Sequence, residues 1–506
     1  MKRIAIIGLE VHVQLKTATK MFCGCPNVLD GTPPNTAICP ICTGQPGTLP
    51  ALNEHAIRIG VKTGLALNCH IPDESAFDRK NYFYPDLPKG YQVSQFFLPV
   101  AKSGYVSVEL PKTGNGRAQF RVGIERAHLE EDAAKNIHLK DGVAVDFNRA
   151  GTPLLEIVTE PDIRSPQEAK AYLQEVRAIL RSVDASDADM EKGQMRCDAN
   201  ISLLDVDDEN RPLQKGLNPK IEVKNLNSFR AVERALEHEI ERQNELYETN
   251  TPPVAATRGW DENRGVTFEQ RLKETSADYR YFPEPDLPPQ DLRSIREALE
   301  TSVGELPSEA RSRLQEEYWF SPEVAAFLMA NDGWASYAEQ VMSELAAWIE
   351  STDDTGTSGS ELMNNAKKEY AKLAGGWLTT KLAGLLSEKN LPINGANVTP
   401  ENFAELLHLL AEKKINGTNG QKLLALMVDT GKDPSHLMEE HDLGQTMDEE
   451  KLRVEIKRII EQNPNQVAEY KAGKETVLKW FVGSVMKATD GKASPKDVEH
   501  ILREEL

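Results

Sequence analysis

Between Leu9 and Leu15 the chain alternates strictly. Leu9, Val11, Val13 and Leu15 are apolar, whereas Glu10, His12 and Gln14 are polar. A period of two is that of a strand with one face on a core and the other free for chemistry. Phe120-Arg121-Val122-Gly123-Ile124-Glu125 and Val143-Ala144-Val145-Asp146-Phe147 repeat the pattern, and Ile201-Ser202-Leu203 and Ile221-Glu222-Val223-Lys224 are shorter strand candidates. Helices are interleaved. Ser165-Pro166-Gln167-Glu168 is a capping box with proline at the first helical position, and it opens an amphipathic helix that continues from Ala171 to Val183. A second helix is predicted from about Ala231 to Leu246. This mixture is α+β and lacks regular βαβ alternation.

Four prolines in the eight residues Phe282 to Pro289 exclude a helix or a central strand there and predict a stiff domain boundary. Beyond it the pattern is almost entirely helical, broken by a polar loop from Ser351 to Ser360. A fresh helix start follows at Thr399-Pro400, and a closing helix from Val498 to Glu505 follows Ser494-Pro495-Lys496-Asp497. Three regions result: a mixed α+β domain over 1–290, an all-α domain over 291–398 and a small all-α tail over 399–506.

Composition narrows the class. The 506 residues carry 59 Lys+Arg against 79 Asp+Glu, a net charge of −20, which excludes a protein that coats nucleic acid over its whole surface. A local basic patch is still allowed. Between Asn465 and Lys496, six lysines (471, 474, 479, 487, 492 and 496) face only Glu469, Glu475 and Asp490. Such a patch suits an RNA backbone, and equally a solvated helix face. Six cysteines are too few for a disulfide scaffold, the N-terminus is a poor signal peptide, and no apolar run reaches membrane-span length. The expectation is a cytoplasmic protein, or one of an organellar matrix, with no membrane partner.

Four of those cysteines cluster. Cys23-Gly24-Cys25 and Cys39-Pro40-Ile41-Cys42 are two close pairs separated by a Gly/Pro-rich loop, the spacing of a closed structural zinc site. Cys69 and Cys197 read as isolated core residues. On the Leu9–Leu15 strand, Glu10, His12 and Gln14 project side by side about 7 Å apart at a rise of ~3.3 Å per residue, which suits a metal–phosphate site as well as a solvated face. In Glu125-Arg126-Ala127-His128-Leu129-Glu130-Glu131-Asp132, at least two of the last three acids read as favouring a helix N-terminus at a strand-to-helix junction, whereas Glu125 precedes that turn. Arg196, Asp198, Asn200 and Ser202 share one strand face, and Glu222 and Lys224 another. A sheet lined in this way resembles a cleft for a phosphorylated substrate with a hard cation.

Asp78 to Tyr91 and Asp278 to Phe282 interleave basic and aromatic residues, as a stacking platform or a loop anchor would. There is no P-loop, H-E-x-x-H or G-x-S-x-G, and Gly114-Asn115-Gly116 is only a turn. Any nucleotide must therefore be held through metal and basic side chains.

Several of these segments together resemble one family. They are Ile7 to Leu15, the four cysteines, Lys80 to Tyr91, Glu125 to Asp132, Arg280 to Leu287 and Val482-Gly483-Ser484-Val485-Met486-Lys487. In order and along the whole chain they are similar to the B subunits of the tRNA-dependent amidotransferases. The resemblance implies a cradle domain like that of glutamine synthetase and the guanido kinases, a helical domain and a tRNA-gripping tail. It implies a carbon–nitrogen ligase that uses ATP to phosphorylate the side-chain carboxylate of Glu-tRNA(Gln) or Asp-tRNA(Asn) and then amidates it. Ammonia would come from an amidase-type glutaminase, the A subunit, and a small C subunit would complete a heterotrimer. Carried onto this chain, Glu10, His12 and Glu125 match the Mg²⁺ and catalytic positions, and the four cysteines match a zinc site. Gln14, Arg196, Asp198 and Glu222 are the further nucleotide-site candidates. Lys80, Tyr82 and Lys89 match ammonia-tunnel positions, and Lys471, Lys474, Lys487 and Lys492 are the tail lysines expected on tRNA. The rival readings are a non-catalytic tRNA-binding scaffold and a stand-alone metal-dependent amino-acid ligase.

Overall fold

The computed structural model describes residues 2–28, 31–110, 117–272, 279–352, 360–444, 449–489, 492–493 and 495–506. The Gly114-Asn115-Gly116 turn, Asp278, Ser494, Asp490 and most of the Ser351–Ser360 loop lie outside the described residues. The chain forms two compact units, Met1–Glu309 and Ala310–Leu506. The first is sheet-rich and mixed α/β; the second is helical. Among the described residues no helix is long and apolar enough to cross a membrane.

The first unit is organised by an eight-stranded sheet. In chain order its strands are β1 (Lys2–Gln14), β2 (Ala101–Glu109), β3 (Gln119–Glu131), β4 (Pro153–Thr159), β5 (Met195–Val206), β6 (Ile221–Leu226), β7 (Ala256–Asp261) and β8 (Val266–Leu272). Their spatial order is β8-β7-β6-β5-β1-β4-β3-β2. Every neighbouring pair is antiparallel except β6–β7. That parallel pair is joined by a crossover helix, as parallel pairs must be.

One sheet face is apolar. Leu9, Val11 and Val13 of β1 are at most 1% exposed, and they join one core with Tyr172, Leu173 and Val176 and with Val232 and Leu236. The last two sets belong to helices α2 (Pro166–Ser182) and α3 (Phe229–Glu248). Helix α1 (Glu54–Ala66) fits against β3 because Gly60 leaves room for Leu129, whose atoms would lie 3.2 Å from an added Cβ. Ser165 caps α2 by accepting from the Glu168 amide, as its capping box predicts. Ser228 caps α3 by accepting from the Ala231 amide. Cys69 and Cys197 are buried as expected.

One expectation is corrected. No helix begins after Glu125: β3 runs on to Glu131, and a loop then leads to a hairpin of Lys135–Leu139 and Gly142–Asp146. Glu130, Glu131 and Asp132 are nearly buried, at 3%, 5% and 6%. They are satisfied by partners distant in sequence and not by a helix dipole. The Val93 amide donates to Glu131 at 2.9 Å, and Lys89 pairs with the same carboxylate.

The proline-rich stretch forms no helix or central strand, as expected, only the short strand Phe282–Pro283. It packs on the first unit, which continues to Glu309. Phe282–Pro283 pairs with Asp78–Arg79, and Leu287 enters the core. Arg79 grips Glu284 through two hydrogen bonds of 2.7 Å, and its guanidinium lies over the Tyr91 ring at 4.3 Å.

In the second unit, Thr399 caps the helix Pro400–Ala411. One apolar cluster runs from Leu314 to Leu437 and another from Leu452 to Leu502. The last helix spans Pro495–Glu505, three residues earlier than its apolar pattern alone suggests.

The Arg79–Glu284 pair yields a stability prediction. The Glu284 side chain is 1% exposed, so Glu284→Ala removes the two-bonded partner of Arg79 and leaves the guanidinium only the partly exposed Asp286 at 3.3 Å. At neutral pH this is expected to cost the first unit roughly 3 kcal/mol in urea unfolding, whereas a surface pair would cost under about 1 kcal/mol. A loss in the surface range would show that the clasp does not hold the segment.

Candidate functional site

The polar face of the sheet gathers two groups of ligating side chains. The register sets His12 of β1 opposite Glu156 of β4, and Glu156 opposite His128 of β3. Glu130, two residues along β3, turns onto the same face. His12 Nδ1 lies 3.4 Å from Glu130 and 3.7 Å from Glu156, and His128 Nε2 lies 3.2 Å from Glu156. Ser94 donates to Glu130 at 3.2 Å.

Burial alone would push these carboxyls towards their neutral form, but the imidazoles reverse that. Glu156 falls to about 2 despite its burial, through the charges of His128 and His12. Glu130 is held well below the usual carboxylate range, its burial outweighed by the hydrogen bonds to His12 and His128. Burial likewise disfavours the charged form of His128, yet the charge of Glu156 and hydrogen bonds to both acids raise it to about 9. His12 is raised in the same way, its burial offset by the Glu130 hydrogen bond and the Glu156 charge.

The second group is Glu10, Asp198 and Glu222. The ligand atoms of His12, Glu130 and Glu156 lie within 4.8 Å of one another, and so do those of Glu10, Asp198 and Glu222. Glu10 faces Asp198 directly in the β1–β5 register, and Asn200 donates to Glu10 at 2.8 Å. Lys224 bridges Asp198 at 2.7 Å and Glu222 at 3.2 Å, and Thr257 donates to Glu222 at 2.8 Å. The carboxylate oxygens of both groups form a hard donor set, which fits Mg²⁺, with the His12 imidazole a borderline donor beside them.

A cavity of about 370 Å³ opens on this face, with His12, Lys80, Tyr82, Glu130, Arg196 and Asp198 among its lining. Arg196 is fixed by Asp132 at 2.9 Å, and Gln14 reaches the same carboxylate at 3.5 Å. The Lys80 ammonium sits 5.1 Å from the Tyr279 ring centre and 6.0 Å from that of Tyr82. Burial opposes its charge, but the fields of Glu130 and the neighbouring groups hold its pKa above the ordinary lysine value. Lys89 lies behind this wall, paired with Glu131.

The predicted residues are therefore only partly brought together. Glu10 and His12 share a strand face but head different groups. Glu125 belongs to neither: its side chain is 50% exposed and pairs with Arg126 at 2.9 Å. Glu10, Gln14, Lys89 and Glu222 are not among the cavity's lining residues. Sequence reasoning missed Glu156 and gave Glu130 a different role. The available signal was a lone carboxylate within the apolar run Pro153-Leu154-Leu155-Glu156-Ile157-Val158.

The four cysteines converge as their spacing predicts, with all four sulfurs within 4.8 Å of one another. The Cys39 amide donates to Cys42 Sγ at 3.2 Å. A hydrogen bond from Cys23, with help from the Cys39 amide and the Lys20 charge, brings the Cys42 thiol down to about 4. Burial and a hydrogen bond to Cys39 push Cys25 up to about 11. Four soft sulfur donors gathered in this way fit a tetrahedral zinc ion.

In the second unit, Lys474 is paired with Glu469 at 2.8 Å and Lys492 with Asp442. Lys471 lies at the C-terminal end of helix Pro464–Lys471, and Lys487 is in the last turn of helix Thr476–Ala488. Trp480 on that second helix is 45% exposed.

Residues 5–296 match the family described as the GatB/GatE catalytic domain, and residues 361–506 match the GatB domain. The B subunit of the aspartyl/glutamyl-tRNA(Asn/Gln) amidotransferase of Thermotoga maritima is 43% identical over 508 residues, covering 99% of this chain and 98% of that protein. The proteins of the same name from Persephonella marina and from Thermoanaerobacter sp. strain X514 are each 42% identical. They cover 99% of both chains and 100% of both chains respectively.

The raised pKa of His128 sets a pH window. Its value of about 9 in the fold lies above the ~6.5 of an unfolded histidine, so its stabilisation is complete below about pH 6.5 and is lost as pH rises through 9. In magnesium-free protein the urea midpoint should fall over that range, and should fall less in His128→Gln. Equal pH slopes for the two proteins would contradict the assigned ion pairs.

Proposed function

The chain belongs to the GatB/GatE catalytic-domain family, that of the aspartyl/glutamyl-tRNA(Asn/Gln) amidotransferase B subunits, and from that membership we propose how its sheet face works. The protein is a ligase that converts Glu-tRNA(Gln) to Gln-tRNA(Gln), or Asp-tRNA(Asn) to Asn-tRNA(Asn). A side-chain carboxylate cannot be displaced by ammonia directly, because its leaving group would be oxide. Its oxygen attacks the γ-phosphorus of ATP, and ADP departs. Ammonia then attacks the acyl carbon of the resulting acyl phosphate, the C–O bond breaks with its electron pair going to phosphate, and an ammonium proton is shed.

The observation that carries this reading is the pair of carboxylate groups on one sheet face, three of whose members, His12, Glu130 and Asp198, line one polar cavity. Glu10, Asp198 and Glu222, with His12, Glu130 and Glu156, would hold Mg²⁺. Magnesium supplies neutralisation of phosphate charge there, the main demand of phosphoryl transfer. We place Glu130 in the position that sequence resemblance gives to Glu125, because Glu130, on the same strand, is a carboxylate that meets His12 whereas Glu125 pairs with Arg126. Arg196 and Lys224 orient phosphate oxygens, with Gln14 steadying Arg196 through Asp132. Lys80 and Tyr82, with Lys89 behind them, form the wall past which ammonia arrives.

The rest of the assembly follows from the same reading. Residues 1–290 act as a cradle of the glutamine synthetase and guanido kinase type, 291–398 as a helical domain and 399–506 as the tail on tRNA. The four cysteines hold structural zinc. An amidase-type glutaminase, the A subunit, makes ammonia from glutamine. A small C subunit completes a heterotrimer, and the complex works in the cytoplasm or an organellar matrix.

Two measurements test this. In the reconstituted complex, Glu10→Gln or Glu130→Gln should lower ATP-dependent amide formation on mis-acylated tRNA by about a hundredfold with tRNA affinity kept. Unchanged turnover would favour a scaffold role. Lys471→Glu with Lys487→Glu should weaken tRNA binding and flatten its dependence on salt, the slope changing by about 1 for each lysine–phosphate pairing removed. Unaltered binding would remove the tail from the interface.

A further inference from the structure

Lys20 is the one lysine among the described residues that is 0% exposed. An ammonium group taken out of water is costly unless it meets compensating charge and hydrogen-bond acceptors. No carboxylate lies within ion-pair distance of it among the described residues. Its Nζ instead donates to Cys42 Sγ at 3.6 Å and to the Phe147 carbonyl at 3.3 Å. The charge that balances Lys20 is therefore to be sought at the sulfurs.

The arithmetic of the site agrees. Four thiolates around one divalent ion leave a net charge of about −2 in a partly buried loop, and a buried lysine against one sulfur offsets half of it. We propose that Lys20 is the buried counter-cation of the four-cysteine metal site and the tie by which that site holds the Phe147–Thr152 turn beneath the cavity. The proposal rests on the zinc reading of the cysteines.

The backbone around Lys20 is built for that connection. Its amide donates to the Cys25 carbonyl at 3.0 Å, so its main chain belongs to the first cysteine pair while its side chain reaches the second. The next amide, Met21, donates to Gly151 at 2.8 Å. Gly151 has φ +85°, and a Cβ there would stand 3.5 Å from Lys20 Cδ and 3.6 Å from Cys42 Cβ, so the turn lies against both side chains. Gly151 then donates to the Asp132 carbonyl at 3.0 Å, and the Asp132 amide donates to Thr152 at 2.8 Å. Asp132 fixes Arg196 at the cavity. A continuous run of contacts thus leads from the sulfurs through Lys20 and Gly151 to a cavity-lining arginine.

The test uses the full-length chain. Zinc is measured per chain by mass spectrometry, and its transfer to a chromogenic chelator is timed for the parent, Lys20→Met and Lys20→Gln. The glutamine variant keeps a donor for Phe147 without the charge, and it serves if the methionine variant does not fold. Both variants should bind zinc but release it about tenfold faster. Release within about twofold of the parent overturns the counter-cation. A parent chain purified without zinc overturns the zinc reading together with this proposal, whereas a zinc-loaded parent with unaffected variants overturns this proposal alone. Hydrogen exchange of the parent supplies the second readout: stripping the metal should accelerate exchange at the Met21, Gly151 and Asp132 amides, and unchanged exchange there overturns the tie.

Discussion

Carboxylates brought onto the inner face of a sheet cannot be left to repel one another, and much of the first unit is arranged around that constraint. Glu130 and Glu156 are nearly buried and anionic because His12 and His128 stand between them. Asp198 and Glu222 lie close together because Lys224 bridges them. Each acid is placed by strand register, so the sheet must be held rigidly, and the apolar packing of α2 and α3 on its opposite face does that. The resulting surface carries fixed negative charge neutralised by groups that can rearrange. Such a surface is ready for a divalent cation and the phosphates that accompany it.

What could be read from the sequence follows the range of the interactions. The alternation of β1 placed Glu10, His12 and Gln14 on one face, since a strand's sidedness is local. The helix caps at Ser165 and Thr399 were legible for the same reason, and so was the cysteine cluster, whose members lie within twenty residues. The partners of Glu130 were not legible. An acidic run of three residues looks like a helix start when only its neighbours in sequence are considered, and His12 lies more than a hundred residues away. Glu156 was missed because only the pairing of β4 with β1 and β3 gives it a role. The proline-rich segment carries a similar lesson. Prolines do exclude a helix or a central strand there, but the short strand Phe282–Pro283, the Arg79–Glu284 pair and the burial of Leu287 make the segment part of the first unit, which no local pattern reveals.

The net charge of −20 also takes on a more specific meaning. Part of the acidity is concentrated on the sheet face, where it is paired with imidazole and ammonium groups. In the tail region the lysines are not uniformly available, because Lys474 and Lys492 are engaged by Glu469 and Asp442. RNA contact by an acidic protein of this kind must depend on a few local cations and not on its overall field.

The central claim is that both carboxylate groups on the sheet hold the cation that serves ATP. The most direct measurement is a crystal of the protein grown with manganese, as a magnesium substitute, and a non-hydrolysable ATP analogue, with the metal located by anomalous scattering. The account predicts peaks about 2.1 Å from oxygens of Glu130 or Glu156 and of Glu10, Asp198 or Glu222, with nucleotide phosphate completing the coordination. Manganese bound with the nucleotide elsewhere, leaving both groups in their present ion pairs, would contradict it.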